Sequence, residues 1–231
     1  MIANFKIQNL EFTSLFSNTP RPNSTDPDIL QNMKNTKTWT NWLKQDRMVS
    51  RSGDDVNLPM TRYVAETLYN NINGKSFVNV FDQSTVLIPV PRSNPLPQGG
   101  LWVPKRIAEE MVAKGIGCKV MPSLKRVKAI NRSSQSIPSQ RPLPSDHYGS
   151  LSVEKSLTMS NKVVLIDDVI TRGATLIAAA NKLIDAYPGI KILSFAAIRT
   201  ISDSSGFSSW FDPVRGTVII RSQQGDTIRR P

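Results

Sequence analysis

The chain has little that commonly organises small proteins: one cysteine and one histidine in 231 residues. A lone thiol excludes an internal disulfide framework and a structural zinc cluster. Cys118 lies in the apolar run GCKVM and reads as a buried strand thiol. With His147 as the sole histidine, a histidine-rich metal site is excluded too. Long apolar runs are also missing. The opening MIANFKIQNLEF lacks the continuous apolar core of a signal peptide, and no stretch approaches the roughly 20 apolar residues that span a bilayer. No membrane partner is expected, and a soluble cytoplasmic protein is the default reading. Acidic residues are scarce, 18 against 29 Lys and Arg, for a net charge of +11. The scarcity is concentrated in residues 92–145, where ten basic residues meet two acidic ones. Such a segment suits either the rim of a polyphosphate site or a nucleic-acid surface.

What is present fits one α/β domain with additions. Residues 1–35 are polar and weakly periodic, and 17–28 (SNTPRPNSTDPD) reads as a loop or arm. Residues 36–50 read as a short helix or an irregular packed segment around Trp39, Trp42 and Leu43. Val64, Leu68 and Ile72 mark a helix over 62–72, stopped by Asn73-Gly74. Strand 84–91, helix 103–114, strand 118–122, strand 162–167, helix 174–186, strand 190–199 and a last strand near 216–221 follow. Strand and helix alternation predicts a doubly wound, mostly parallel sheet, with ligands at the carboxyl ends of its strands. Residues 1–80 are read as an N-terminal extension serving as hood or arm, and 81–231 as the main domain. The span 123–150 has no apolar period and is expected to be a functional lid loop.

The most informative stretch is VVLIDDVITRGAT, residues 163–175. An apolar strand ends in two adjacent carboxylates, Asp167 and Asp168, and a glycine-containing turn then opens a helix. Unpaired N–H groups at a helix N-terminus attract anions. Carboxylates beside them accept hydrogen bonds from sugar hydroxyls or hold a divalent cation. Phosphate donors next to hydroxyl acceptors describe a pocket for a sugar phosphate.

This segment resembles the phosphoribosyl pyrophosphate (PRPP) motif of type I phosphoribosyltransferases. The resemblance implies that Asp167 and Asp168 bind the ribose hydroxyls, and Mg²⁺ indirectly through PRPP and water. It assigns the 5′-phosphate to Thr171, Arg172, Gly173, Ala174 and Thr175. The segment IPVPRS is similar to the pyrophosphate loop of ComF-like and amidophosphoribosyltransferase-like members, which puts Arg92 and Ser93 on pyrophosphate. Residues 124–151 resemble the mobile loop of ComF-like proteins, with Lys125, Arg126, Gln135 and Arg141 in the family's order. Arg126, then Arg141, would stabilise the leaving group. His147-Tyr148 would be a hinge contact. The family's variable hood would supply the acceptor site, with Trp210 and Phe211 either stacking on a base or packing in the core.

Two departures matter. Thr171 stands where hypoxanthine-guanine-type members carry an Asp that acts as a base, and Arg172 stands where many members have Thr. The N-terminal cysteine cluster common in ComF-like proteins is absent. The implied activity is a Mg²⁺-dependent displacement of pyrophosphate by a nucleobase or amine. The alternative is a non-catalytic PRPP-sensing or nucleic-acid-binding protein on the same fold, in DNA uptake or phage defence, with nucleic acid bound through 92–145. Either version admits a homodimer.

Overall fold

The computed structural model describes residues 5–50, 56–131, 141–157, 159–221 and 225–231. In chain order the elements are β1 (Asn9–Asn18), α1 (Pro27–Gln45), β2 (Met48–Ser50), β3 (Asn57–Pro59), α2 (Met60–Asn70), β4 (Val86–Pro89), α3 (Val103–Ala113), β5 (Lys119–Val120), β6 (Leu124–Arg126), α4 (Pro144–Gly149), β7 (Leu151–Val153), β8 (Lys162–Ile170), α5 (Ala174–Ala186), β9 (Lys191–Thr200), β10 (Phe211–Ile220) and β11 (Thr227–Arg230). Seven strands form one sheet in the order β11-β10-β1-β9-β8-β4-β5. From β1 through β5 the neighbours are parallel; β10 and β11 add an antiparallel edge.

Strand β8 shows why the sheet is buried on both faces. In KVVLIDDVI the residues Val163, Val164, Leu165 and Ile166 are fully buried. Successive side chains alternate between faces. Val164 and Ile166 pack with Leu43 of α1, Val64 and Leu68 of α2, and Ile107 and Met111 of α3. Val163 and Leu165 pack instead with Leu176, Ile177, Ala180 and Leu183 of α5. Helices therefore cover both faces, as the alternation of elements predicts. The connection β4–α3–β5 runs outward in one direction and β8–α5–β9 in the other, so the strand order reverses between β4 and β8. Sheets of this kind hold ligands in the crevice at such a reversal.

Three local expectations are corrected. The polar stretch 1–35 supplies an interior strand: β1 lies between β10 and β9, and Leu10, Phe12, Leu15 and Phe16 are buried. Its Thr13, Ser14 and Ser17 are buried as well, which masked the apolar alternation. Helix α1 starts at Pro27, well before 36, because Asp26 caps it by accepting from the N–H groups of Asp28 (2.9 Å) and Ile29 (3.1 Å). Cys118 is exposed, not buried, since it precedes a two-residue strand at the sheet edge.

Segment 123–150 contains β6 and α4. β6 and β7 pair antiparallel, with Arg126 opposite Leu151, and α4 docks on α5. Residues 132–140, including Gln135, lie outside the described residues. Trp210 stacks on Phe16 at 4.5 Å and meets Trp39 edge-on, a core role, whereas Phe211 is exposed. No helix among the described residues is long and apolar enough to cross a membrane.

Candidate functional site

Two adjoining cavities open at the carboxyl ends of β4 and β8. The first, about 200 Å³, lies on the α5 side and is lined by Asp167, the turn 171–173, Ala174, Thr175, Arg141 and the hairpin residues Asp226 and Thr227. The second, about 340 Å³, lies on the α3 side, between Arg92 and Ser93, the segment 101–104, and Asp167 with Asp168. Asp167, Val169, Thr171 and Thr175 line both. The strand's period of two accounts for the split: Asp167 follows Leu165 toward α5, and Asp168 follows Ile166 toward α3. Asp168 thus serves the α3 side alone, while Asp167 borders both cavities.

The first cavity is built around an open helix N-terminus. Gly173 adopts φ +84°, and a Cβ there would stand 2.4 Å from the Val218 side chain of β10. Glycine is therefore required both for the turn and for the close approach of β10. No side chain caps α5, so its first N–H groups remain available to an anion. Arg172 and Arg141 add charge. Burial and the nearby guanidiniums of Arg172 and Arg21 hold Arg141 below its ordinary pKa. Like charges held together at a cavity mouth favour a ligand with several negative charges.

The wall of the second cavity is a loop whose carbonyls are turned to other work. The carbonyl of Val90 accepts from Trp102 Nε1 at 2.9 Å, that of Pro91 from Arg126 Nη2 at 3.4 Å, that of Arg92 from Arg126 Nε at 2.9 Å, and that of Ser93 from the Ile130 N–H at 3.0 Å. Four consecutive acceptors are thus occupied. The N–H groups of Arg92 and Ser93 donate to nothing among the described residues. Carbonyls committed and amides free make an anion-binding loop.

Arg126 is the brace of this loop. It is 6% exposed, and it also donates to Ser150 Oγ and, at 3.5 Å, to the His147 carbonyl. Burial lowers its pKa to about 10, opposed by the attraction of Asp167. The expectation of a guanidinium carried on a lid therefore meets a different geometry: Arg126 is buried against the loop, with its N–H groups directed at backbone carbonyls and the Ser150 hydroxyl. Lys125 faces outward and pairs with Glu154 at 3.5 Å.

Asp167 is partly buried at the floor, and Asp168 offers its N–H to Asp167 Oδ1 at 2.9 Å. Loss of water and the adjacent Asp168 carboxylate push the Asp167 pKa well above the ordinary value. The potential metal donors among the described residues lining the two cavities are hard oxygens. Among the described residues no group of three or more His, Cys, Asp and Glu could cage a metal. His147 is 3% exposed and its Nδ1 lies 3.2 Å from Thr175 Oγ1. Burial, then the Arg126 charge, lowers its pKa to about 3, so it remains a neutral ring between α4 and α5.

The crevice therefore gathers Asp167, Asp168, Thr171, Arg172, Gly173, Ala174, Thr175, Arg92, Ser93 and Arg141. Sequence reasoning missed Lys44 and Trp102 in the second cavity and Asp226 and Thr227 in the first. Trp102 stands just before the predicted helix, so its position there was a usable signal. The polar tail around Asp226 has no local pattern that could have marked it.

No protein-family model matches the chain, and no curated protein matches it. Among solved structures it is similar to a hypoxanthine phosphoribosyltransferase from Staphylococcus aureus, with 12% identity and a TM-score of 0.35 over 62% of this chain and 73% of that one. An overlap this slight carries no argument; the functional reading rests on the crevice.

Proposed function

We propose that this chain binds PRPP with Mg²⁺ and transfers its phosphoribosyl group to a nitrogen acceptor, releasing pyrophosphate. The observation that carries the reading is the pair of anion-binding surfaces joined by a carboxylate floor. PRPP has phosphate at both ends of a ribose diol. It needs an anion site at each end and hydroxyl acceptors between them. The uncapped α5 N-terminus with Arg172 takes the 5′-phosphate. The free amides of Arg92 and Ser93 take the pyrophosphate. Asp167 and Asp168 accept from the ribose hydroxyls between the two.

The donor set suits Mg²⁺, which uses one or two carboxylates and completes its shell with ligand phosphates and water. When bound it would neutralise charge on the departing pyrophosphate. In the reaction the C1–O bond breaks and its electron pair leaves with pyrophosphate. The acceptor nitrogen's lone pair forms the new C1–N bond, and the nitrogen's proton passes to solvent. Arg92 and the loop amides receive the developing charge. Arg126 acts by positioning that loop. Trp102, Leu101 and Pro104 give the second cavity an apolar wall with Lys44 at its rim, a surface for a flat nucleobase or aromatic amine. Thr171 cannot accept a proton at neutral pH, which disfavours 6-oxopurines that depend on a base there. The order of these motifs resembles that of ComF-like members.

A nucleic-acid role for 92–145 is the weaker reading. Lys105, Arg106, Lys114 and Lys125 are paired with carboxylates, and Arg126 is buried. Calorimetry of Mg²⁺-PRPP binding tests the proposal, with Asp167→Asn/Asp168→Asn as control. Saturable binding lost in the double variant is expected. Absence of binding in the native protein would overturn it.

A further inference from the structure

The C-terminal hairpin touches the phosphate turn at three places. Val218 of β10 packs on Gly173. Arg229 of β11 donates to the carbonyl of Ile170, the residue just before the turn, at 2.9 Å. Asp226, in the turn between β10 and β11, lies 3.7 Å from Arg172 Nη1. Asp226 is ionised: Arg221 holds it through Nε at 2.6 Å and through a second guanidinium N–H, and its pKa is lowered. A fixed carboxylate in an anion cavity is unexpected. Beside it Thr227 is 1% exposed, lines the same cavity, and its hydroxyl has no hydrogen-bond partner among the described residues. A buried hydroxyl is costly to leave unpaired, and a phosphate oxygen in the cavity would pair it.

We infer that this hairpin is part of the sugar-phosphate subsite: Thr227 donates to the 5′-phosphomonoester, and Asp226 is a built-in counter-ion that the phosphate displaces from Arg172. The inference rests on the phosphoribosyl reading of the crevice and goes beyond its motif residues. Before ligand binds, Arg172 is shared with Asp226. When a phosphomonoester enters, Arg172 turns to it, and Asp226 stays with Arg221. The internal carboxylate thus weakens phosphate binding and speeds its release. It also discriminates against anions too weak to compete for the guanidinium, because an entering anion must outbid a carboxylate already in place.

The test uses the full chain and ribose 5-phosphate, with inorganic phosphate and ribose as separate probes, followed by calorimetry at fixed ionic strength. Asp226→Asn keeps the side chain's shape and removes its charge, so ribose 5-phosphate should bind about fivefold more tightly. Thr227→Val should bind it about tenfold more weakly, and Thr227→Ser, which restores the hydroxyl, should match the native chain. A purely structural role for the hairpin would weaken binding in every variant and could not tighten it in Asp226→Asn. Native binding of ribose 5-phosphate with no gain in Asp226→Asn, or none lost in Thr227→Val, overturns this inference and leaves the phosphoribosyl reading standing. Equal affinity for ribose 5-phosphate and inorganic phosphate would mean an adventitious ion only, and overturns the sugar-phosphate assignment. Failure of the native chain to bind ribose 5-phosphate overturns both. If Thr227→Val does not fold, Asp226→Asn and Thr227→Ser decide alone.

Discussion

At the residue scale the chemistry turns on two groups held against their preference. Asp167 is a carboxyl with a raised pKa, so the folded state holds its proton more tightly than the unfolded chain does. Its contribution then makes stability fall as pH rises from the ordinary carboxylate value, 3.8, through the raised one. Asp167→Asn removes that cost. It is expected to raise the melting temperature at pH 7 by roughly 2–4 °C, for a gain of about 1 kcal/mol, while abolishing Mg²⁺-PRPP binding. Thermal melts and calorimetry on the same variant check both halves, and a loss of stability would contradict the picture of an unfavourably held carboxyl. Arg126 is the converse. Arg126→Ala strands the carbonyls of Pro91 and Arg92 and is expected to destabilise the fold by about 2–4 kcal/mol. Denaturant titration would measure this; a near-neutral result would return Arg126 to a mobile, solvent-facing role. The residues that sequence alone picked out, Asp167 and Asp168, were legible because two carboxylates beside a glycine turn make little sense as a cap. Arg126 was legible only by resemblance, as a basic residue in a basic stretch, and its burial was not, since burial depends on the distant carbonyls it meets.

At the element scale the sequence marked every strand and helix around the crevice whose apolar pattern was continuous, and β8 with α5 most clearly. It failed on β1, where Thr13, Ser14 and Ser17 occupy buried positions. Of these only Ser17 has a hydroxyl partner among the described residues, donating to the Ser209 carbonyl at 2.6 Å. That partner lies 192 positions away, so no local window contains it. The short α4 was hidden in the same way, inside a Pro- and Ser-rich span, and it is fixed by His147 against Thr175. That contact has a pH signature. A histidine with a folded pKa near 3 and an unfolded value near 6.5 leaves the unfolded chain binding the extra proton. Its contribution to stability is full above about 6.5 and is lost as pH falls toward 3. The slope is about 1.4 kcal/mol per pH unit within that window. His147→Gln should flatten this part of the stability profile, measured by urea unfolding between pH 4 and 7. An unchanged profile would mean that other groups set the acid limb.

At the scale of the whole molecule the crevice is a product of topology. Strand order reverses between β4 and β8, so their loops diverge and leave a crevice whose floor is lined by Asp167, Asp168 and Val169 of β8. The cavity walls then come from elements far apart in sequence: the β4 loop, the α5 N-terminus and the terminal hairpin. A ligand that touches all three would tie the β4 loop to the α5 turn and the hairpin, which already touch each other. Mg²⁺-PRPP at about a hundred times its dissociation constant should therefore stabilise the fold by about 2.7 kcal/mol, a rise of roughly 5–10 °C in melting temperature for a chain of this size. Asp168 lines only the second cavity, and Asp167 lines both. Ribose 5-phosphate, which lacks pyrophosphate, should accordingly protect Asp168→Asn more nearly as it protects the native chain than Mg²⁺-PRPP does. Differential scanning fluorimetry with the two ligands on the two variants reads this directly. If Asp167→Asn and Asp168→Asn respond alike to both ligands, the carboxylates act as one unit, and the division of the crevice between its two walls has no energetic meaning.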